Sequence, residues 1–171
     1  TRGGMNPRYT EVKWKTGSVF KADPDLALYE IEQLDEANGG KAPDGALVEH
    51  AKNPKSVLHN EFEWDDSIAG YKYRLETERK IKRSLVVVRE DITDQNDNPI
   101  EIRVFQRATL QSENDVPRRI WWNTFDMLKD PCGREQLLGN ARKELNQFRN
   151  KYQALTELSD ILNPIEEFLK S

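Results

Sequence analysis

The sequence predicts an α+β fold, on three observations. Apolar residues recur at helical spacing in the first and last thirds of the chain, β-branched residues alternate with polar ones in the middle, and clusters of turn formers separate the segments. The expected architecture is a three-helix, winged-helix-like unit with a short leading strand over residues 5–84. An antiparallel hairpin or small sheet follows over 85–125, and a long coiled-coil-type helix with a short terminal turn over 126–171.

Between Tyr9 and Lys15, Thr10, Val12 and Trp14 alternate with Glu11, Lys13 and Lys15, which suits a short strand, and Gly17 marks a turn. Asp23-Pro24 is a helix start, with Asp as cap and Pro at the first helical position. Ala27, Leu28, Ile31 and Leu34 form its apolar stripe, and Asn38-Gly39-Gly40 stops it. A second short helix is expected from Pro43 or Asp44 through Ala46, Leu47, Val48 and Ala51, ending at Asn53-Pro54 because a residue before proline resists the helical region.

After a connector holding Val57, Leu58, Phe62 and Trp64, Asp65 or Asp66 is expected to cap a long third helix. Trp64, Ile68, Tyr71, Leu75, Ile81 and Leu85 lie along one side of it. Lys72, Glu76, Arg79, Lys80 and Arg83 lie along another, which makes that outer face mostly positive.

Leu85-Val86-Val87-Val88 switches to β-branched composition, Asp91 to Asn98 is dense in turn formers, and Ile100, Ile102 and Val104 alternate with Glu101, Arg103 and Phe105. A hairpin follows, with Arg118 to Trp122 as a third antiparallel strand after the polar loop 112–117. Asn123 caps a short helical turn through Phe125 and Leu128.

Asp130-Pro131 repeats the helix-start signal. Leu138, Ala141, Leu145, Phe148, Tyr152, Leu155 and Leu162 then fall at heptad spacing, the pattern of a helix that packs along a partner helix. A helix from Pro131 to Leu162 is roughly 45 Å long. Asn163-Pro164 is expected to break it, with Ile165, Phe168 and Leu169 folding back.

The 171 residues suffice for one good core plus an extended segment. The chain is polar, 33% charged against 36% hydrophobic, yet four Trp, five Tyr and six Phe argue against wholesale disorder. The net charge of −4 argues against coating nucleic acid by charge alone, but the charges are segregated: residues 23–38 carry six acids and no base, and 71–83 carry six bases against two acids. A single cysteine, Cys132, closes no intramolecular disulfide, and no apolar run reaches the length of a signal core or membrane span, so an intracellular protein without a membrane partner is expected. Thr1-Arg2-Gly3-Gly4 before Met5 reads as an expression scar.

Enzymatic signatures are weak. His59 lies near Glu61, Glu63, Asp65 and Asp66, but their spacing matches no metal-ligand pattern, and Asp65 and Asp66 already have a capping role. Asp94 to Asn98 resembles the start of a calcium loop, but Pro99 stands where glycine is required and Phe105 where a bidentate Glu is needed. Cys132 at a helix start lacks a convincing partner His, and Trp121-Trp122 reads as one core ring and one edge ring before it reads as a base-stacking platform. With no glycine-rich phosphate loop, nucleotide fingerprint or nucleophile elbow, the expectation is a non-enzymatic protein without catalytic residues, metal or cofactor.

Three helices followed by a hairpin is the element order of a winged helix, whose third helix enters the major groove. On that reading Arg74, Arg79, Lys80, Lys82 and Arg83 contact the backbone of double-stranded DNA, with Lys13 and Lys15 as auxiliary contacts. The heptad residues Leu138, Ala141, Leu145, Phe148, Tyr152, Leu155 and Leu162 are the expected seam of a homo-oligomer.

The run Leu58-His59-x-x-Phe62-Glu63-Trp64-Asp65-Asp66-x-x-Ala69, followed by Tyr73-Arg74 and Arg79, resembles a segment of uncharacterised bacteriophage and prophage proteins. The resemblance extends from about Trp14 through the C-terminal helix, including Phe20-Lys21-Ala22-Asp23 and Gln136-Leu137-Leu138. Gly70 departs from it where a second Ala is expected, and Gly inside a helix costs about 1 kcal/mol relative to Ala. The resemblance implies a phage or mobile-element origin and a place in the cytoplasm of a bacterial host; it transfers no activity. The expected function is a self-associating, DNA-binding or regulatory accessory protein. The alternatives are a virion or assembly component (scaffold, adaptor or decoration protein) and an inhibitor that binds a host protein through the acidic first helix.

Overall fold

The computed structural model describes residues 9, 11–111 and 116–171, and the backbone alone at 89–92. The Thr1–Gly4 segment and residues 112–115 of the polar loop lie outside the described residues. The chain mixes helices with small antiparallel sheets and divides into two compact units, Thr1–Phe125 and Asp126–Ser171.

In the first unit, β1 (Glu11–Trp14) leads to α1 (Pro24–Ala37), β2 (Lys41–Pro43) and α2 (Ala46–Ala51). Next come α3 (Tyr71–Ser84), the hairpin β3 (Leu85–Thr93) and β4 (Pro99–Arg103), and the hairpin β5 (Phe105–Leu110) and β6 (Arg118–Asn123). β3 pairs with β1 on one edge and β4 on the other, Val87 facing both Val12 and Ile102. β6 is likewise central, with Trp121 opposite Ala42 of β2 and Arg107 of β5.

These two three-stranded sheets correct the single sheet expected from the sequence. Val104 is the reason: its buried side chain interrupts the run from 99 to 110. Its N–H donates to the Leu85 carbonyl at 3.1 Å, while its carbonyl accepts from Thr124 N–H at 2.7 Å, so the chain changes sheet there. β2, three residues ending in Pro43, escapes periodicity because it is too short to show any. Between the strands and helices the core gathers Leu28, Ile31, Leu47, Val48, Leu58, Ile81, Val87, Phe105 and Trp121.

α1 begins and ends where expected: Asp23 Oδ1 accepts from Leu26 N–H at 3.0 Å, and Gly39 and Gly40 turn the chain with φ of 68° and 82°. α3 does not begin at Asp65 or Asp66. Asp65 Oδ1 instead accepts from Ser67 N–H at 2.9 Å and from Ser67 Oγ at 2.6 Å, closing a local turn, and the helix starts at Tyr71. Gly70 therefore flanks the helix in extended conformation and carries no helix-interior cost.

In the second unit, Asp130 caps α5 (Pro131–Tyr152) by accepting from Gly133 N–H at 2.8 Å. α4 (Thr124–Lys129) precedes it. The helix expected to reach Leu162 stops ten residues sooner. Leu155 is extended, a single 3-10 turn spans Thr156–Leu158, and α6 (Ser159–Lys170) folds back along α5. The reversal buries Leu162, 8% exposed, which a lone straight helix leaves in water. Pro164, the sixth of the twelve residues of α6, does not break it, although its missing N–H forfeits one hydrogen bond of the ladder.

Candidate functional site

The least expected feature is a set of charged side chains inside the first unit. Glu78 and Lys82 are four residues apart on α3 and both fully buried, and Asp35 of α1 is 6% exposed. Lys82 Nζ lies 4.0 Å from Asp35 Oδ1 and over the rings of Trp121 and Phe105, at 5.4 and 5.8 Å from their centroids. Glu78 accepts from Gly45 N–H at 3.0 Å and from Val48 N–H at 3.4 Å, so its carboxylate closes the start of α2.

Burial works against every charge here. It pushes Asp35 up to about 6 despite the Lys82 ammonium beside it, raises Glu78, and lowers Lys82 against the attraction of Asp35 and Glu78. At the border of the cluster, Asp44 pairs with the Arg107 guanidinium and, at 3.4 Å, with Arg79. A lysine with a lowered pKa is the raw material of amine nucleophiles. Lys82, however, is sealed from solvent and flanked by carboxylates, an arrangement that anchors α3 to α1, α2 and β6.

The segment from Leu58 to Arg74 is also architectural. Leu58, Phe62 and Ala69 are buried, and the His59 ring stacks on Trp64 at 5.3 Å while Trp64 Nε1 donates to the His59 carbonyl at 2.8 Å. Glu61 accepts from the N–H groups of Lys21 and Ala22 at 2.8 and 2.6 Å. Arg74 then donates to the carbonyls of Glu63 and Ala69 and to Asp66, tying the connector to the first turns of α3.

These contacts disperse the predicted DNA-contacting residues. Lys82 is corrected outright: it is buried and faces Asp35, because Leu75, Glu78, Lys82 and Leu85 share the inward side of α3 and the strand that follows it. Arg74 is occupied by the connector, Arg79 by Glu76 and Asp44, Arg83 by Glu76 at 2.9 Å, and Lys13 by Glu101. Lys15 and Lys80 are exposed, and so is Lys72 on the same helix as Lys80. Trp121 and Trp122 are both buried, Trp122 beneath the Lys41 ammonium at 4.4 Å, so neither is a stacking platform.

The predicted seam residues divide differently. Leu138, Phe148 and Leu155 are 47%, 38% and 48% exposed, and Ala141 is also exposed. Leu145 and Tyr152 are partly covered, Tyr152 by Phe148 at 5.0 Å between ring centroids. Leu162 lies on α6, on the side turned to a polar cleft of about 380 Å³ that Arg149, Gln153, Thr156, Ser159 and Glu166 also line. Leu155, in the reversal, and Leu162, on the second helix, therefore leave the continuous heptad stripe. α6 adds Ile161 and Phe168, 54% and 38% exposed, which the heptad reading did not select. The Arg142 guanidinium lies 4.4 Å from the Phe168 ring and donates to the Phe168 carbonyl at 3.1 Å, closing the hairpin.

Among the described residues, no group of three or more His, Cys, Asp and Glu side chains is arranged to hold a metal ion, and no helix is long and apolar enough to cross a membrane. Cys132 is exposed. No protein-family model, curated protein or solved structure matches the chain.

Proposed function

We propose that this chain is a non-enzymatic accessory protein of a phage or prophage that acts as a self-associated assembly, with the α5–α6 hairpin as the association element. The observation that carries the reading is the set of large apolar side chains left in water on that hairpin: Leu138, Phe148, Ile161 and Phe168. Several large apolar side chains exposed on one helical hairpin are a feature of interaction surfaces. The seam is that of two short antiparallel helices and not of one long coiled coil. Phage origin is supported by the Leu58 to Arg74 segment and bacterial cytoplasm by that origin. Among assembly roles, a scaffold, adaptor or decoration protein fits this surface, and detection in purified particles by mass spectrometry tests it.

The experiment is a comparison of the wild type with Leu138→Gln/Phe148→Gln by size-exclusion chromatography at matched concentration. The wild type elutes as an oligomer and the variant as a monomer of unchanged helicity. A wild type that elutes as a monomer refutes the reading.

A second reading, binding of duplex DNA, is favoured by one observation: Lys72 and Lys80 are exposed on α3, and among the described residues neither pairs with an acid. The winged-helix assignment rests on the order α1, α2, α3 and hairpin. Gel shift at low salt tests it, Lys72→Glu/Lys80→Glu abolishing a shift that the wild type produces and that salt weakens.

A further inference from the structure

α6 has a wider apolar arc than α5 covers. Leu162 turns inward, whereas Ile161 and Phe168, seven residues apart, stand together on the flank that faces solvent. α5 also leaves Leu138 and Phe148 exposed, ten residues and so about 80° apart around the helix. The two helices also differ in charge: α5 carries five bases (Arg134, Arg142, Lys143, Arg149, Lys151) against Glu135 and Glu144, while α6 carries Asp160, Glu166 and Glu167 against Lys170. Around the exposed apolar positions α5 is mixed and α6 acidic: Arg134 and Glu135 both stand one turn before Leu138, and Glu144 and Lys151 one turn before and after Phe148, whereas Asp160 and Glu167 immediately precede Ile161 and Phe168. The basic excess of α5 is therefore a property of the whole helix.

From this we infer that the occupant of the exposed face is a second copy of the hairpin, placed so that α5 of each copy lies against α6 of the other. The inference rests on the self-association reading and adds the pairing to it. Pairing α5 with α5 sets two basic helices side by side, and pairing α6 with α6 sets two acidic ones; the crossed arrangement opposes unlike charges at both contacts and is closed by a two-fold axis. Apolar burial supplies the affinity, and the charges select the pairing.

The test is sedimentation equilibrium of the full chain at low and high salt, with charge variants. Crossed pairing predicts a dimer whose dissociation constant rises severalfold between about 0.05 M and about 0.5 M salt, as screening removes attraction. Arg134→Glu/Lys151→Glu weakens the dimer at low salt, and adding Asp160→Lys/Glu167→Lys restores it. Circular dichroism reports whether each hairpin remains helical; if a variant does not, the wild-type salt series decides. A dimer that tightens with salt or is indifferent to it overturns the pairing, as does Arg134→Glu/Lys151→Glu with wild-type affinity. When Leu138→Gln/Phe148→Gln breaks such a dimer, self-association stands and the pairing alone falls. A wild type monomeric at every salt removes both.

Discussion

Lys82 Nζ sits 4.0 Å from Asp35 Oδ1 with both side chains buried, so α3 and α1 are joined by an ion pair longer than a direct hydrogen bond. Such pairs contribute less by existing than they cost when halved. Lys82→Met leaves two buried carboxylates facing an apolar side chain and lowers stability by about 3 kcal/mol at pH 8, measured by urea unfolding. The loss is smaller at pH 5, where Asp35 takes up a proton.

The pH dependence follows from direction. Asp35 is raised from 3.8 to about 6, so it binds more protons folded than unfolded between those values. Its contribution is fully present below pH 3.8 and is lost as the pH rises through about 6. Glu78, also raised by burial, acts with the same sign, and Lys82, lowered by burial, adds stability as the pH rises toward 10.5. Asp35→Asn therefore flattens the stability change between pH 5 and pH 7.5 relative to the wild type. Parallel profiles for the two proteins contradict the assignment.

Gly45 occupies the turn into α2 with φ of 89°, and a Cβ there stands 2.4 Å from the Tyr71 hydroxyl. Gly45→Ala costs about 1–2 kcal/mol in thermal or urea unfolding, partly from the left-handed backbone and partly from displacing Tyr71. Tyr71→Phe in that background recovers the second part only.

Arg74 serves two carbonyls and Asp66 with one planar fork. Lysine brings a point charge and cannot span them. Arg74→Lys raises amide hydrogen exchange in the connector, residues 58–70, while the α5–α6 hairpin keeps its exchange rates.

Much of this architecture is legible in the sequence where signals are local. Asp23-Pro24, Asn38-Gly39-Gly40 and Asp130-Pro131 place helix ends directly, because caps and positive-φ glycines act within a few residues. The change of sheet at Val104 and the pairing of β2 with β6 depend on partners far along the chain. Glu78 and Lys82 did leave a trace, being bracketed by Leu75 and Leu85 at helical spacing, but charge outweighs position in any composition-led reading and assigned Lys82 to the surface. The end of α5 at Tyr152 was hidden for the opposite reason: the heptad pattern runs on through Leu155 and Leu162 although the backbone has turned back, since both a straight seam and a hairpin use the same spacing. Of the seven proposed DNA-contacting residues, Arg74, Arg79 and Arg83 were legible as part of a basic helix but not as side chains already engaged by Glu63, Asp66, Glu76 and Asp44.

The central claim is association through the α5–α6 hairpin, and light scattering of the wild-type chain over a wide range of concentration tests it most directly. The account predicts a mass of about twice the 19.9 kDa of one chain at high concentration, falling toward a single chain on dilution. A mass of 19.9 kDa at every concentration contradicts it.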